Sequence, residues 1–567
     1  MIRINMQGIG RILGDYGLWR VPVVLACLGM ALATPAEAQC VFSEDQTFSP
    51  ADLAMGDIYG GAVGVSGDTI FVMSEWDDDN GMDSGSAYIY ERVGSTWIEV
   101  QKIAPVDGVA GDNFGRSVAV QADTAVIGAH WDDTVGGFRA GSAYVYEFNG
   151  ADWQAIKKLV PFDTAAGDAF GNACAIDGDV LAVTAWRDDV VGTDSGSVYV
   201  WRDNGVEWSF EQKLVPSDMA NLDQFGRGVW ISDDVMVIGA WKNDDDGMDS
   251  GCAYVFRYDG MNWIEEQKLT ASDAAAGDQF GFSVSMDTDV ILIGSHRADA
   301  GVAASGAAYV FRYDGMTWVE EQKLTASDSI AGNWMGWAVA IDGDTALVSA
   351  HHSFDLPLVS PGAGYLFRYK NGVWTEEQKL IASAGVNGDV LGFHLALDGD
   401  TAVMGAWRVD SNTGEAYVYD TARNDFNGDD VPDECQPLHA DIDQISLISG
   451  GTQAFTLDAG VANANSSYWM FGSFSGISPG IAFPGGVVLP LNFDSYFNIT
   501  LTKPMAGAFT NYLSSLSPSG TAAASFNLPP GLDPSLAGVT LYHAYVAAAV
   551  FGVVDYTSNA MPVLLVL

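Results

Sequence analysis

Residues 263–316 decide the fold, and they read WIEEQKLTASDAAAGDQFGFSVSMDTDVILIGSHRADAGVAASGAAYVFRYDGM. The pattern returns over residues 318–354 as WVEEQKLTASDSIAGNWMGWAVAIDGDTALVSAHHSF. Anchored on the glycine of the Phe-Gly pair, it occurs seven times, at spacings of 55 or 56 residues. These glycines are Gly60, Gly115, Gly171, Gly226, Gly281, Gly336 and Gly392. A fixed period of this kind is typical of a repeat architecture.

Each unit contains four strand-like runs. The first two are apolar and are separated by a tight turn such as Asp177-Gly178-Asp179, which favours a two-residue hairpin. The third run is aromatic, as in AYVF at 253–256, and the fourth opens with a tryptophan such as Trp263. Four antiparallel strands in each unit, repeated radially, predict an all-β fold, a seven-bladed β-propeller.

The two ends of the repeat region predict how the ring closes. The seventh unit stops after its third run, at Tyr419, and residues 42–48 resemble the missing fourth run. Phe42 takes the place of the tryptophan, and Gln46 matches Gln267. We therefore expect the N-terminal strand to complete the last blade.

The cysteines add a hypothesis about this closure. Cys40 precedes the closing strand and Cys435 follows its predicted partner, so a disulfide between them would lock the ring. Cys174 and Cys252 lie in strands of different units, where we expect them to be small buried residues.

The composition is that of a turn-rich globular protein with a strongly acidic surface. The chain has 567 residues, 65 glycines, 48% hydrophobic residues and a formal net charge of -48. Such a charge disfavours nucleic acid and anionic membranes as partners, although general solubility is an alternative explanation of it. No later segment is apolar enough for a transmembrane helix, and we expect a monomer.

The N-terminus is typical of a secretory signal. Basic residues precede an apolar run over residues 21–33, and Ala36-Glu37-Ala38 forms a cleavage site. We therefore predict a signal peptide over residues 1–38 and a secreted protein, extracellular or at the cell surface. The propeller is expected over residues 39–422, an acidic linker over 423–437 and a C-terminal β-sandwich over 438–567.

The linker carries the best metal-binding signal, DFNGDDVPDEC at 425–435. Oxygen ligands at alternate positions are typical of a calcium loop. The predicted ligands are Asp425, Asn427, Asp429, the carbonyl of Val431 and Asp433. A plain acidic linker is the alternative. Calcium is the one cofactor that the sequence suggests, and no organic cofactor is expected.

Acidic loops inside the repeats, at 77–83, 188–189 and 244–249, are weaker calcium candidates. The alternative is that they are solvated turns whose carboxylates bond to their own backbone. An Asp also recurs two or three residues before the Phe-Gly glycine, with Asn333 in the sixth unit. We interpret this recurring residue as a turn element, because catalytic residues break a repeat whereas these residues keep it.

The Phe-Gly pair, the short strand and the pair Gly239-Ala240 resemble FG-GAP repeats, the unit of integrin α-subunit propellers and of many secreted bacterial proteins. The resemblance covers about residues 41–422 and implies an extracellular protein in adhesion or ligand binding. The family's calcium loop lies between the first two strands. This chain has only a tight turn there, so those calcium sites do not carry over.

A residue with a ring replaces the proline of the family motif in every unit. This predicted ring is formed by Trp76, His130, Trp186, Trp241, His296, His351 and Trp407. One interpretation is packing between blades. The other is a ligand face whose aromatic rings stack on a sugar or a peptide.

Enzyme motifs are scarce. Gly476-Ile477-Ser478-Pro479-Gly480 matches a nucleophile motif by letter, but Pro479 has no N–H to donate to an oxyanion. The sequence therefore predicts a binding or adhesion scaffold, not an enzyme, with an extracellular glycan or protein as its ligand. The alternative is an extracellular polysaccharide hydrolase or lyase, for which the irregular sixth unit, with His351, His352 and Asp355, is the first place to look.

Overall fold

The computed structural model of the chain describes residues 41–42, 44–352 and 361–421, residues 516–517, and a set of strands between residues 438 and 566. The first three ranges contain seven sheets, each with four blade strands. We number the blades along the chain and letter their strands A to D from the axis outward. The A strands contact each other around a closed ring, so the predicted seven-bladed propeller is confirmed.

The strand bounds follow the repeat. The A strands are Tyr59–Ser66, Phe114–Gln121, Phe170–Asp177, Phe225–Ser232, Ser283–Asp287, Met335–Asp342 and Leu395–Asp398. The B strands are Thr69–Ser74, Thr124–Ala129, Val180–Ala185, Val235–Ala240, Val290–Ser295, Thr345–Ala350 and Thr401–Ala406. The C strands are Ser86–Val93, Ser142–Phe148, Ser197–Asp203, Cys252–Tyr258, Ala307–Tyr313, Ala363–Lys370 and Glu415–Asp420. The D strands are Thr96–Ile103, Trp153–Leu159, Trp208–Leu214, Trp263–Leu269, Trp318–Leu324, Val373–Leu380 and Gln46–Phe48.

The core lies between neighbouring blades. Every residue of the B strand Val235–Ala240 is buried, because both faces of the sheet are covered by another blade. The D strand Trp263–Leu269 buries its two ends and leaves the residues between them partly exposed. Cys174 and Cys252 are both buried and unpaired, as predicted. A four-residue segment, Val409–Asn412, interrupts blade 7 between strands B and C, and its last three residues have positive φ.

The N-terminal strand closes the ring in blade 7, as predicted. Gln46, Thr47 and Phe48 pair antiparallel with Val418, Tyr417 and Ala416. The closing strand is shorter than residues 42–48, however, because Val41–Phe42 pairs parallel with the D strand of blade 6. The N-terminal segment therefore joins two blades. Cys40 and Cys435 lie outside the described residues, and their disulfide stays a prediction.

A second set of contacts closes the ring at the hairpins between strands A and B. The last residue of each A strand accepts a hydrogen bond from the backbone N–H of the next blade's hairpin, at 2.5 to 3.3 Å. The acceptors are Ser66, Gln121, Asp177, Ser232, Asp287, Asp342 and Asp398. The set runs through all seven blades, from Ser66 to Asp398, whose carboxylate receives the Gly67 N–H.

Glutamines join the D strands of neighbouring blades. Gln212 donates to the Trp263 carbonyl at 2.9 Å and accepts from its N–H at 2.8 Å. Equivalent pairs of bonds are made by Gln46, Gln101, Gln267 and Gln322. Lys157 takes this place in blade 2 and donates to the Trp208 carbonyl. The glutamine of the EEQKL pattern is thus an inter-blade contact.

The lysines that follow these glutamines form ion pairs with aspartates. Lys213 lies 2.8 Å from Asp163 and 2.7 Å from Asp188, and Lys158 makes the same two contacts in its own blade. The lysine therefore ties the D strand to two loops.

The strands described between residues 438 and 566 form separate sheets. One sheet contains Leu438–Ala440, Gly451–Asp458, Thr521–Leu528 and Phe509–Thr510. A larger sheet contains Gln444–Ser446, Met561–Val566, Thr540–Ala548, Ser467–Ser473 and Leu513–Ser515, with Tyr556–Thr557 beside it, and Ile481–Ala482 pairs with Val488–Leu489. The β-sandwich itself stays a prediction. Within the described part of the chain, no helix has the length and apolarity needed to span a membrane.

Candidate ligand-binding face

One end of the propeller combines the start of each A strand with the end of each B strand, and we call it the FG face. The residue after each Phe-Gly glycine lies there, and its identity changes from blade to blade. In chain order these residues are Gly61, Arg116, Asn172, Arg227, Phe282, Trp337 and Phe393. Blades 2 to 4 thus present polar groups and blades 5 to 7 present aromatic rings, so this face is asymmetric.

Six of the seven predicted ring residues occupy equivalent places on the FG face, but Trp76 does not. Tyr59 pairs with Ser74, as Phe114 pairs with Ala129 in blade 2, so Glu75 is the equivalent of His130. The prediction was wrong there because letter matching chose the first aromatic residue, whereas strand register sets the place. Glu75 is buried, and Trp76 is 38% exposed.

An aromatic arc runs along the FG face from blade 4 to blade 7. Phe282 packs on Trp241 at 5.5 Å, on His296 at 4.2 Å and on Trp337 at 4.5 Å. Trp337 in turn contacts His351 at 4.2 Å and Phe393 at 5.5 Å. The arc ends where Phe393 meets Trp407 at 5.7 Å. Trp241, Trp337, Phe393 and Trp407 are partly exposed, so the arc offers ring surface to solvent.

The opposite sector of the FG face is polar. Glu75 lies 3.7 Å from the Arg116 guanidinium and 3.5 Å from His130 Nδ1. Arg116 donates to Asn172 Oδ1 at 3.4 Å, and the Asn172 amide donates to the Arg227 carbonyl at 3.4 Å. Burial raises the pKa of the Glu75 carboxyl, and Arg116 opposes that shift. This sector therefore supplies the carboxylate, guanidinium and amide groups that the aromatic arc lacks.

The histidines of the FG face are neutral at pH 7. Burial lowers the pKa of His296 to about 3, of His351 to about 2 and of His394 to about 4, and nearby arginines or histidines add to each shift. Nδ1 of His296 and Nδ1 of His351 have no hydrogen-bond partner among the described residues. His352 packs against His351 at 4.3 Å, and Asp355 lies outside the described residues. In the described residues the sixth unit therefore brings together rings, not an acid–base pair.

These histidines predict a pH-dependent stability. A buried neutral histidine binds its proton only on unfolding, so it costs stability as pH falls below about 6.5. Asp168 acts in the opposite sense, because burial raises its pKa to about 6 and the folded state takes up the proton first. We expect the change in unfolding free energy from pH 7 to pH 5 to differ between the wild-type protein and the two variants. His351→Gln should lose less, by ~1.4 kcal/mol per pH unit below the unfolded pKa, and Asp168→Asn should lose more.

Denaturant unfolding at pH 7, 6 and 5 measures all three proteins. Asp168→Asn is a conservative change, because blade 6 naturally carries Asn333 at that place. Parallel pH profiles for the three proteins would contradict the assignment of neutral, buried histidines.

The recurring aspartates before the Phe-Gly pair are turn elements, as interpreted from the sequence. The carboxylate of Asp168 accepts the Ala165 N–H at 2.6 Å, and Asp223 accepts the Ala220 N–H at 2.9 Å. The residue that follows each of them has a positive φ, including Val390 at 59°. The aspartate thus holds a strained entry into strand A.

The acidic loops of the repeats use their carboxylates internally. Asp188 lies 2.6 Å from Ser197 Oγ and 2.7 Å from Lys213 Nζ, and Asp189 accepts the Asp194 N–H at 2.8 Å. This matches the turn interpretation. Among the described residues, no three acidic, histidine or cysteine side chains form a group that could hold a metal ion. The calcium ligands predicted between Asp425 and Asp433 lie outside the described residues.

The opposite end of the propeller opens into the axial channel, a cavity of about 310 Å³. Its lining comes from all seven A strands and includes Val65, Cys174, Trp230 and His394. The polar residues that end the A strands, such as Asp287, form its rim and are engaged in the inter-blade hydrogen bonds. This mouth repeats around the axis, unlike the FG face.

Sequence reasoning missed the residues that follow the Phe-Gly glycines. The signal was present, because this position of the repeat changes from Gly61 to Arg116 to Trp337 while the glycine before it stays constant. A position that varies inside a strict repeat marks the place where the blades differ in what they contact.

Comparison with known proteins agrees with this architecture. A family model described as FG-GAP repeat matches seven consecutive segments of the chain, residues 42–90, 97–146, 153–201, 208–256, 263–311, 318–367 and 374–419. No curated protein matches the chain significantly. Each matched segment begins with the D strand of one blade and continues with strands A to C of the next.

Proposed function

The chain belongs to the FG-GAP repeat family, and we propose that it is a secreted binding or adhesion scaffold that presents its FG face to an extracellular glycan or protein. FG-GAP repeats are typical of extracellular and surface proteins, and the signal-like residues 1–38 agree with export. The observation that carries the proposal is the asymmetry of the FG face. Seven aromatic or histidine rings form one continuous surface there, from Trp241 to Trp407.

Such a surface has the properties of a binding site. Aromatic rings supply large contact areas, and a few placed polar groups fix the orientation of a ligand. Packing between blades explains the buried members of the arc, such as Phe282 and His351. Packing between blades does not explain Trp337 and Phe393, because both residues are partly exposed.

The proposal predicts that ligand capture depends on Trp337. The full chain is applied to an array of glycans and extracellular-matrix proteins, together with Trp337→Ala. We expect the variant to lose about tenfold or more of the signal on each positive spot, because a central aromatic contact contributes ~2 kcal/mol or more. Trp230→Ala is the matched control, since Trp230 is 37% exposed and lines the opposite mouth.

The control should bind as the wild-type protein does, and melting curves check that Trp337→Ala is folded. Equal losses in the two variants would place the ligand away from the FG face. An array without any positive spot would count against the binding scaffold itself.

One observation favours the second candidate, a polysaccharide hydrolase or lyase. Glu75 stands at the ring position in blade 1 only, with a raised carboxyl pKa and with Arg116 and His130 beside it. A carboxyl of this kind is the group that acid–base catalysis requires. Glu75 and His130 are both buried, however, which favours a structural role. A turnover assay on each captured glycan, with Glu75→Gln as the test variant, decides between binding and catalysis.

A further inference from the structure

Six cationic side chains on the FG face lie over aromatic rings of the same face. The distances from cation to ring centre run from 3.9 to 5.4 Å. The pairs are Arg139 on Trp131, Arg187 on Trp186, Arg227 on Phe282, Lys242 on Trp241, Arg297 on Trp334 and Arg408 on Trp407. These pairs distribute positive charge from blade 2 to blade 7.

None of these six cations forms an ion pair with a carboxylate within residues 44–352 and 361–421. The cations of the outer strands differ sharply. Lys102 lies within 3.0 Å of three aspartates, and Arg257 pairs with Asp234 and Glu266. In a chain with a net charge of -48, six cations on one face that have no carboxylate partner in the described part of the propeller need an explanation other than solubility.

The acidic loops beside these cations use carboxylates to bind their own backbone. Asp133 accepts the Arg139 N–H at 2.8 Å, Asp244 accepts the Asp249 N–H at 2.7 Å and Asp299 accepts the Ala304 N–H at 2.7 Å. Each of these carboxylates thus stabilises its own loop. Within residues 44–352 and 361–421, none of these carboxylates forms an ion pair with the six cations.

Arg227 occupies the most confined place of the six. Its side chain is partly buried, and its guanidinium lies 4.1 Å from the centre of the Phe282 ring. Burial, with Arg116 as a second cause, lowers the pKa of Arg227 to about 9. A cation held in such surroundings without a carboxylate gains from an incoming anion, which restores the lost solvation.

We propose that the ligand of the FG face is an acidic glycan, whose sugar rings contact the aromatic arc while carboxylate or sulfate groups bind Arg227 and the neighbouring cations. The inference rests on the binding function proposed above and names its ligand class. Several cations around one face fit a ligand that repeats its charge from one sugar to the next. The acidic remainder of the protein disfavours nucleic acid, whose dense charge extends beyond the face.

Two matched pairs of probes test the ligand class by calorimetry on the full chain. Oligogalacturonate is compared with its methyl ester, and dextran sulfate is compared with dextran. Each pair keeps the sugar rings and removes the charge. We expect at least one charged probe to bind about tenfold tighter than its neutral partner, and the pair that shows the difference identifies carboxylate or sulfate as the recognised group.

Arg227→Gln locates the binding, and Arg257→Gln is its control. Both variants remove one positive charge, but Arg257 belongs to a C strand and pairs with carboxylates. We expect Arg227→Gln to weaken the charged probe about tenfold and Arg257→Gln to leave it unchanged. Arg187→Gln and Arg297→Gln, at exposed positions, give smaller losses and keep the test valid if Arg227→Gln does not fold.

Several outcomes would overturn the inference. They are equal binding of charged and neutral probes, equal losses in Arg227→Gln and Arg257→Gln, tighter binding of a single-stranded oligonucleotide than of either acidic glycan, and no binding of any probe. A neutral glycan or a protein captured through Trp337 on the array would leave the binding scaffold standing while the acidic ligand fails. The two proposals can therefore fail separately.

Discussion

A chain that lacks residues 41–48 is expected to lose the cooperative unfolding of the propeller and to self-associate. The deletion removes the D strand of blade 7, so the C strand Glu415–Asp420 becomes an exposed edge that is open to pairing with another chain. It also removes the two hydrogen bonds between Gln46 and Trp97 and the two that Ser383 donates to the Glu44 carboxylate. Size-exclusion chromatography and thermal melting measure the effect.

Point variants in the same strand give the matched comparison. Phe48 is 3% exposed and stacks on Tyr90 at 3.9 Å, whereas Thr47 faces solvent. Phe48→Ala should destabilise the protein by ~3–5 kcal/mol, and Thr47→Ala should change little. A synthetic peptide of residues 41–48 should restore the melting temperature of the deletion variant. A deletion variant that melts as the wild type does would show that the ring is stable without its closing strand.

Among substitutions that add one methyl group to the propeller core, Gly239→Ala is expected to be the most destabilising. Gly239 is the last residue but one of the B strand Val235–Ala240. A Cβ at this position would overlap the carbonyl oxygen of Gly281 in the next blade. Backbone cannot turn aside as a side chain can, so the two blades must separate. We expect a loss of ~3 kcal/mol, at the upper end of overpacking effects, and a melting temperature lower by several degrees.

Gly178→Asn is the control for the loss of a glycine as such. Gly178 sits in a hairpin at φ 55° with no atom near its missing side chain, and Asn tolerates that conformation. It should cost far less than Gly239→Ala. Blades 1, 3 and 6 carry Met73, Thr184 and Ser349 at the place of Gly239. If Gly239→Ala and Gly178→Asn have the same melting temperature, the close approach between blades 4 and 5 can relax and the prediction is wrong.

The sequence predicted the blade count and the closing strand because both depend on spacing. The seven glycines and the hairpin turns recur at a fixed period, and a period can be read without knowing any contact. The exchange of Trp76 for Glu75 could not be read in this way, since it depends on strand register. Register is set by the pairing of Tyr59 with Ser74, which is a contact between two strands.

The candidate site was predicted in part. The ring positions were found because they replace one motif residue in each unit. The cations were missed because Arg187, Lys242, Arg297 and Arg408 each look like an isolated charge beside a ring. These four cations come together on one face only when the ring closes. Their lack of ion pairs among the described residues becomes clear only by comparison with other cations, such as Arg257, which pairs with carboxylates.

The offset between repeat and blade has a consequence for the order of folding. The strand Gln46–Phe48 is synthesised before the other blade strands, and it pairs with blade 7, which is synthesised last of the blades. In the same joint the Asp45 carboxylate accepts the Asp420 N–H across 375 residues of sequence. Contacts between residues so far apart in sequence form late, because closing the loop between them costs conformational entropy that the contacts offset only once the intervening chain is ordered. Blades 1 to 6 can form one after another, but the final sheet waits for its first strand. The ring therefore closes only when the last blade and the N-terminal strand are both available to pair.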